Sequence, residues 1–325
     1  RPAAAPLRRI RPAANGYDDP ATPPPAHHPG AYGVSNFAFD GGVKRGALLA
    51  HPRAMKIPTS HLILLALVAL TGCSGSIPAA GRPDAGPPTS TSFPGFDTWS
   101  YPGDDFMNSW RQSSPYQWVG YYLPAPCHRD TSFNGRRQFL TQTGWGIAAI
   151  YVGQQTFDGQ EPAEVTQTTV CSSSLLTAEQ GARDGQDAIS RTLAEGFPSG
   201  SVIYLDIERM ERVTPQMVTY YQAWLKALLT DGRFRPGTYA HMANAAALYN
   251  VAQNLQQQSG VTASIPFWIA GGQGFTLDSA PQDVGATYAR IWQGVLDVTR
   301  TWGGRSLRID ENVATTRSPS APAPY

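Results

Sequence analysis

Two carboxylates set two residues apart, Asp206 and Glu208, close the apolar run Ser201-Val-Ile-Tyr-Leu-Asp-Ile-Glu208. A run of this length, rich in β-branched and aromatic residues, reads as a buried strand. Side chains alternate along a strand, so both acids fall on one face, about 6–7 Å apart by strand rise. Acids so placed suit general acid and base work, because the charge of one raises the proton affinity of the other. The plain alternative is a pair of solvated acids in the loop that follows. An isolated Asp-x-Glu leaves these two readings even, and the surrounding elements have to separate them.

Those elements begin near residue 93. Residues 93–99, 117–123, 145–152, 202–208, 238–241, 266–270, 288–293 and 307–312 read as eight strands. Helical patterns fall between them at 104–112, 134–143, 177–195, 214–229 and 243–257. Thr177-Ala-Glu-Gln180 resembles a capping box. Met217, Val218, Tyr221, Trp224, Leu225 and Leu228 recur at helical spacing. Helices after the sixth and seventh strands are weak or missing. Alternating β and α segments over about 220 residues predict an α/β fold, a (β/α)8 TIM-type barrel. A doubly wound sheet is disfavoured, since no Gly-x-Gly-x-x-Gly follows an early strand.

In such a barrel the strand ends meet at one mouth. Asp97 ends the first strand, Asp206 and Glu208 the fourth, and Asp310 and Asn312 the eighth. Aromatic residues also stand near strand ends: Trp99, Tyr122, Tyr151, Tyr239, Trp268 and Trp292. Aromatic faces beside carboxylates suit sugar rings, whose C–H faces stack while their hydroxyls find acceptors. Core packing explains each aromatic residue taken alone. Buried acids are harder to explain that way, because an unpaired buried carboxylate is costly.

Asp97, Asp206-x-Glu208 and Asp310-x-Asn312 resemble the acidic pattern of the family 25 lysozymes. A closer resemblance is to the bacterial glycoside-hydrolase-like domains once filed as unknown-function family 1906. It is carried by Gly95-Phe-Asp97, Ser114-Pro-Tyr116 with Val119-Gly-Tyr121, Gly144-Trp145, Ile150-Tyr-Val-Gly-Gln154, Ile203-Tyr-Leu-Asp-Ile-Glu208 and Pro266-Phe-Trp268. The resemblance spans residues 93–313. It implies a glycosidase of peptidoglycan or a related amino-sugar polymer, with Glu208 as the acid and Asp206, Asp97 and Asp310 as stabilising carboxylates. The six aromatic residues and Asn312 would contact the glycan. One departure touches Asp97: the lysozymes place Ser two residues after this acid, whereas here Thr98-Trp99-Ser100 follows. A non-catalytic carbohydrate-binding barrel is the alternative.

Charge and the amino-terminal region bound the remaining possibilities. Eight of the 25 bases but only three of the 24 acids fall in residues 1–72, so the remainder carries a net charge of −4. That excludes the basic footprint of a nucleic-acid binder. Residues 1–54 read as a disordered Pro/Ala-rich extension, and one that need not be translated, because Met55 opens a complete export signal over 55–72. Leu70-Thr71-Gly72-Cys73 resembles a lipobox, making Cys73 a lipid anchor and residues 73–92 a flexible tether. The expected location is the bacterial cell envelope, at the outer membrane in a Gram-negative cell because Ser74 follows the cysteine. Residues 314–325 read as a disordered tail. Cys127 and Cys171 follow neighbouring strands in an oxidising compartment and are expected to pair. No zinc spacing is present, so no metal or cofactor is expected. The barrel is expected to be a monomer whose partners are a glycan and, through the anchor, a membrane.

Overall fold

The protein is described by a computed structural model over residues 92–157, 170–260 and 262–322. The expected disordered extension, export signal, lipid anchor at Cys73 and nearly all of the expected tether lie outside these residues. Eight strands close into a barrel in chain order. They are β1 (Phe93–Asp97), β2 (Trp118–Tyr122), β3 (Gly146–Val152), β4 (Val202–Ile207), β5 (Arg235–His241), β6 (Phe267–Ala270), β7 (Ala289–Trp302) and β8 (Arg305–Ala314). Among the described residues five α-helices pack outside: α1 (Asp104–Ser113), α2 (Arg137–Gln142), α3 (Ala178–Ala194), α4 (Pro215–Asp231) and α5 (Met242–Ser259). Local chemistry sets their ends. The hydroxyls of Thr177 and Thr214 accept the N–H groups of Gln180 and Met217, capping α3 and α4. Gly232 and Gly260, both with positive φ, terminate α4 and α5.

Strands β1 to β7 run parallel, giving the α/β barrel expected from the alternating pattern. The eighth strand departs from that expectation. It is antiparallel to both β7 and β1. Strand β7 continues to Trp302, and only Gly303 and Gly304, both with positive φ, separate it from β8. A two-residue link makes a hairpin, whereas a parallel return needs a crossover of a dozen or more residues. The outer half of this hairpin takes the place of a missing helix and lies on α1. There the Trp110 indole N–H donates to the Arg305 carbonyl at 3.0 Å. A Cβ on Gly303 would come within 2.4 Å of Ser109 Oγ.

The barrel interior is filled with aromatic rings. Trp268 meets Trp118, Tyr204 and Tyr239 edge-on, with centroids 5.5, 5.8 and 5.6 Å away. Glycines provide the space. A Cβ on Gly95 would strike the Trp118 indole at 2.1 Å, and one on Gly237 would strike the Tyr204 ring at 2.7 Å.

The tail is a second correction. Through residue 322 it is docked and closes the base of the barrel. Ser320 N–H donates to Ile147 O, and Val202 N–H donates to Ser320 O. Ser320 Oγ accepts from Ala149 N at 2.7 Å and donates to Val202 O at 2.7 Å. Ser318 Oγ accepts from Ile147 N. Strands β3 and β4 pair only from Ala149 and Ile203 onward, so the backbone groups below need these partners. Composition suggested a tail free in solvent; unmet backbone hydrogen bonds hold it in place.

Candidate active site

Asp97 ends β1 and faces the barrel axis, where Gly120 of β2 leaves room for it. A Cβ on that glycine would lie 2.5 Å from Asp97 Cβ. Three side-chain donors converge on the Asp97 carboxyl: Tyr122 Oη at 2.9 Å, Gln293 Nε2 at 2.8 Å and Asn312 Nδ2 at 2.9 Å. Burial pushes this carboxyl up, and the three hydrogen bonds recover only part of the shift. Asp310 lies opposite Asp97 because β8 enters the barrel at the mouth; the carboxyl end of β8 lies at the base, beside Phe93. The acid is therefore mid-strand and not at a strand end. Gln293 Nε2 also reaches Asp310 Oδ2 at 3.3 Å, so one amide bridges the two acids. Asp310 Oδ1 accepts the Asp297 N–H at 2.6 Å. Asp297 sits at an irregularity in β7 with φ of 58°, which presents that N–H to the acid. Burial, then the charge of Asp97, pushes the Asp310 carboxyl up to about 8.

Asp206 is the last inward-facing residue of β4, 5% exposed, and its Oδ1 has no hydrogen-bond partner. Burial and then the charges of Glu208, Asp97 and Asp310 push its carboxyl well above the usual range. Glu208 follows on the rim and is exposed to solvent. Protein crowding and the charge of Asp97 push its carboxyl up as well, against the Arg209 N–H that lowers it. Its solvent contact makes the push weaker than at Asp206. Gln155, buried just beyond β3, fixes this strand end. Its Nε2 donates to Asp206 O at 2.9 Å, and its Oε1 accepts the Glu208 N–H at 2.9 Å. Tyr239 of β5 feels all four acids and donates its hydroxyl to Gln293 Oε1 at 2.7 Å. Carboxyls from three strands thus occupy one end of the barrel.

A family model described as the Rv2525c-like, glycoside hydrolase-like domain matches residues 108–314. The chain belongs to that family. This agrees with the glycoside-hydrolase-like resemblance carried by the strand motifs. No curated protein matches the chain. Solved structures similar to this Rv2525c-like chain include the spore cortex lytic enzyme SleM of Clostridium perfringens, at 12% identity over 70% of this chain and 68% of that one, with a TM-score of 0.46. The Tat-secreted protein Rv2525c of Mycobacterium tuberculosis is 16% identical over 68% of this chain and 93% of its own, with a TM-score of 0.43. A family 25 lysozyme of Aspergillus fumigatus is 14% identical over 71% and 100%, with a TM-score of 0.40.

The expected glycan-contacting residues of this Rv2525c-like domain divide into three groups. Trp99, 46% exposed, stands at the mouth with its ring 5.9 Å from Tyr122 and 4.2 Å from His128; Tyr122 and Tyr239 stand beside the acids. Trp268 and Asn312 form the floor below them, where the Trp268 N–H donates to Asn312 Oδ1 at 2.9 Å. Tyr151 and Trp292 do not reach the mouth. Tyr151 points outward under α3 and donates to Asp187 at 3.1 Å. Trp292 faces the loop after β6, against Phe275 and the Gly271 carbonyl. Alternation sends their neighbours inward instead, and for β7 that neighbour is Gln293. His128 is fully buried, and burial lowers its pKa to about 4, so the ring is neutral. Cys127 and Cys171 form a disulfide with Cα atoms 5.1 Å apart, joining the loops after β2 and β3. Gln155 lies past a strand end and carries no periodic signal to single it out, whereas Gln293, the polar neighbour of Trp292, marks the inward phase of β7. Among the described residues no group of His, Cys, Asp or Glu is arranged to hold a metal ion, and no helix is long and apolar enough to cross a membrane. A separate hollow of about 430 Å3, bounded by Gly103, Asp105, Phe106 and Arg305, contains none of the four acids.

Proposed function

We propose that this domain is an exported, lipid-anchored glycosidase that cuts peptidoglycan or a related amino-sugar polymer. The observation that carries the reading is the gathering of Asp97, Asp206, Asp310 and Glu208 at one barrel end, in a family described as glycoside-hydrolase-like. Glu208, on the open rim with a raised proton affinity, acts as general acid toward the glycosidic oxygen. Once ionised, Asp206 presents a donor-free oxygen to the positive charge that develops at the anomeric carbon, and Asp97 and Asp310, whose proton affinities are raised as well, add to that field as they lose their protons. Trp99 and Tyr239 supply stacking faces. Export is supported by the disulfide, a bond characteristic of oxidising compartments. The lipobox-like Leu70-Thr71-Gly72-Cys73 supports anchoring to the cell envelope.

A non-catalytic binding barrel is the second reading, and Asp97 favours it, because three donors already engage this carboxyl. Reducing-end release from purified peptidoglycan separates the two. Glu208→Gln should lower the rate by about 100-fold or more while sedimentation with cell-wall sacculi is retained. Binding without turnover in the wild type would select the binding barrel; the absence of both would reject glycan recognition.

A further inference from the structure

We infer that the sugar taken at this mouth carries a free ammonium group, so that the substrate is a de-N-acetylated hexosamine polymer and not a fully N-acetylated one. The inference rests on the glycan reading and narrows it.

The mouth is acidic. The charged neighbours that raise the proton affinities of Asp206 and Asp310 are other acids. Two nearby arginines are committed elsewhere: Arg308 to Asp297 at 2.6 Å and Arg300 to Glu311 at 2.8 Å. Arg209, next to Glu208, is exposed and bears on His241. Four acids around one space, with no basic side chain set among them in the described residues, favour a cationic occupant.

Hydrogen-bond capacity at the mouth is uneven. The carboxyl oxygens of Asp97 and Asp310 have donors. Asp206 Oδ1 has none, although the residue is 5% exposed and faces the same space. A buried acceptor without a donor is costly, and an ammonium brings three donors and a compensating charge. An acetamido group fits worse. Its carbonyl needs a donor, yet the hydroxyls of Tyr122 and Tyr239 are given to Asp97 and Gln293, and the Gln293 and Asn312 amides are given to the acids. Among these side chains the donor left for an acetyl carbonyl is the proton that Asp206 or Asp310 itself holds, which an ammonium would displace.

Calorimetric titration of the full chain with glucosamine and N-acetylglucosamine oligomers of equal length tests the assignment. The amine oligomer should bind about tenfold more tightly or better, with most of that margin lost in Asp206→Asn and part of it in Asp310→Asn. Thermal unfolding of both variants checks that they are folded. An equal or greater affinity for the acetylated oligomer overturns the inference and leaves glycan recognition standing. If neither oligomer binds, both readings fall. Spermine run in parallel measures diffuse attraction; equal binding of spermine, with the oligomer margin intact in Asp206→Asn, also overturns the inference.

Discussion

Asp310 takes about 8 in the fold, where burial and the charge of Asp97 hold its proton, against an ordinary aspartate value near 3.8 in the unfolded chain. The folded state therefore binds the proton more tightly than the unfolded state does. The stability this contributes is fully present below about pH 4 and is lost as pH rises through about 8. Asp97, Asp206 and Glu208 are shifted in the same direction. Urea midpoints measured from pH 4 to pH 9 should fall with rising pH. Asp310→Asn should flatten that slope relative to wild type; parallel curves would show that this acid does not carry the linkage. The same cluster would set a declining alkaline limb for any reaction in which Glu208 must be protonated.

At the level of elements, much was legible because polar residues mark the inward phase of a strand. Asp206 and Glu208 reveal the phase of β4, and Asp97 that of β1. Strand β3 has no such marker: Gly146–Val152 is apolar on both faces, so Tyr151 had equal claim to either side. Strand β7 did have one. Gln293 is polar and Trp292 is not, so alternation alone could have turned the tryptophan outward. The direction of β8 was hidden by length, because residues 294–302 continue β7 with no apolar run to announce it. Gln155 lies past a strand end, where no period applies. The docked tail was illegible for another reason, since its Ser and Pro content suits solvent equally well. Its role makes a prediction: Ser320→Ala strips Ala149 N of its partner and should cost about 1–3 kcal/mol. Scanning calorimetry would record this as a lower Tm. An unchanged Tm would mean that the tail docks without supporting the barrel.

For the molecule as a whole, the Cys127–Cys171 bond links positions 44 residues apart and ties two mouth loops together. By loop entropy such a cross-link restricts the unfolded chain by about 4 kcal/mol. Reduction under non-denaturing conditions should lower the urea midpoint accordingly, with circular dichroism still reporting the barrel. Collapse of the fold on reduction would instead make the bond a condition of folding. The return of β8 to β1 has a consequence in time. One flank of β1 stays unpaired until residues more than 200 positions later have been made, roughly 10–45 s at ordinary elongation rates. Until then the growing sheet offers an unsatisfied edge to whatever escorts it, and the ring is sealed only when Asp310–Ala314 pairs with Phe93–Asp97.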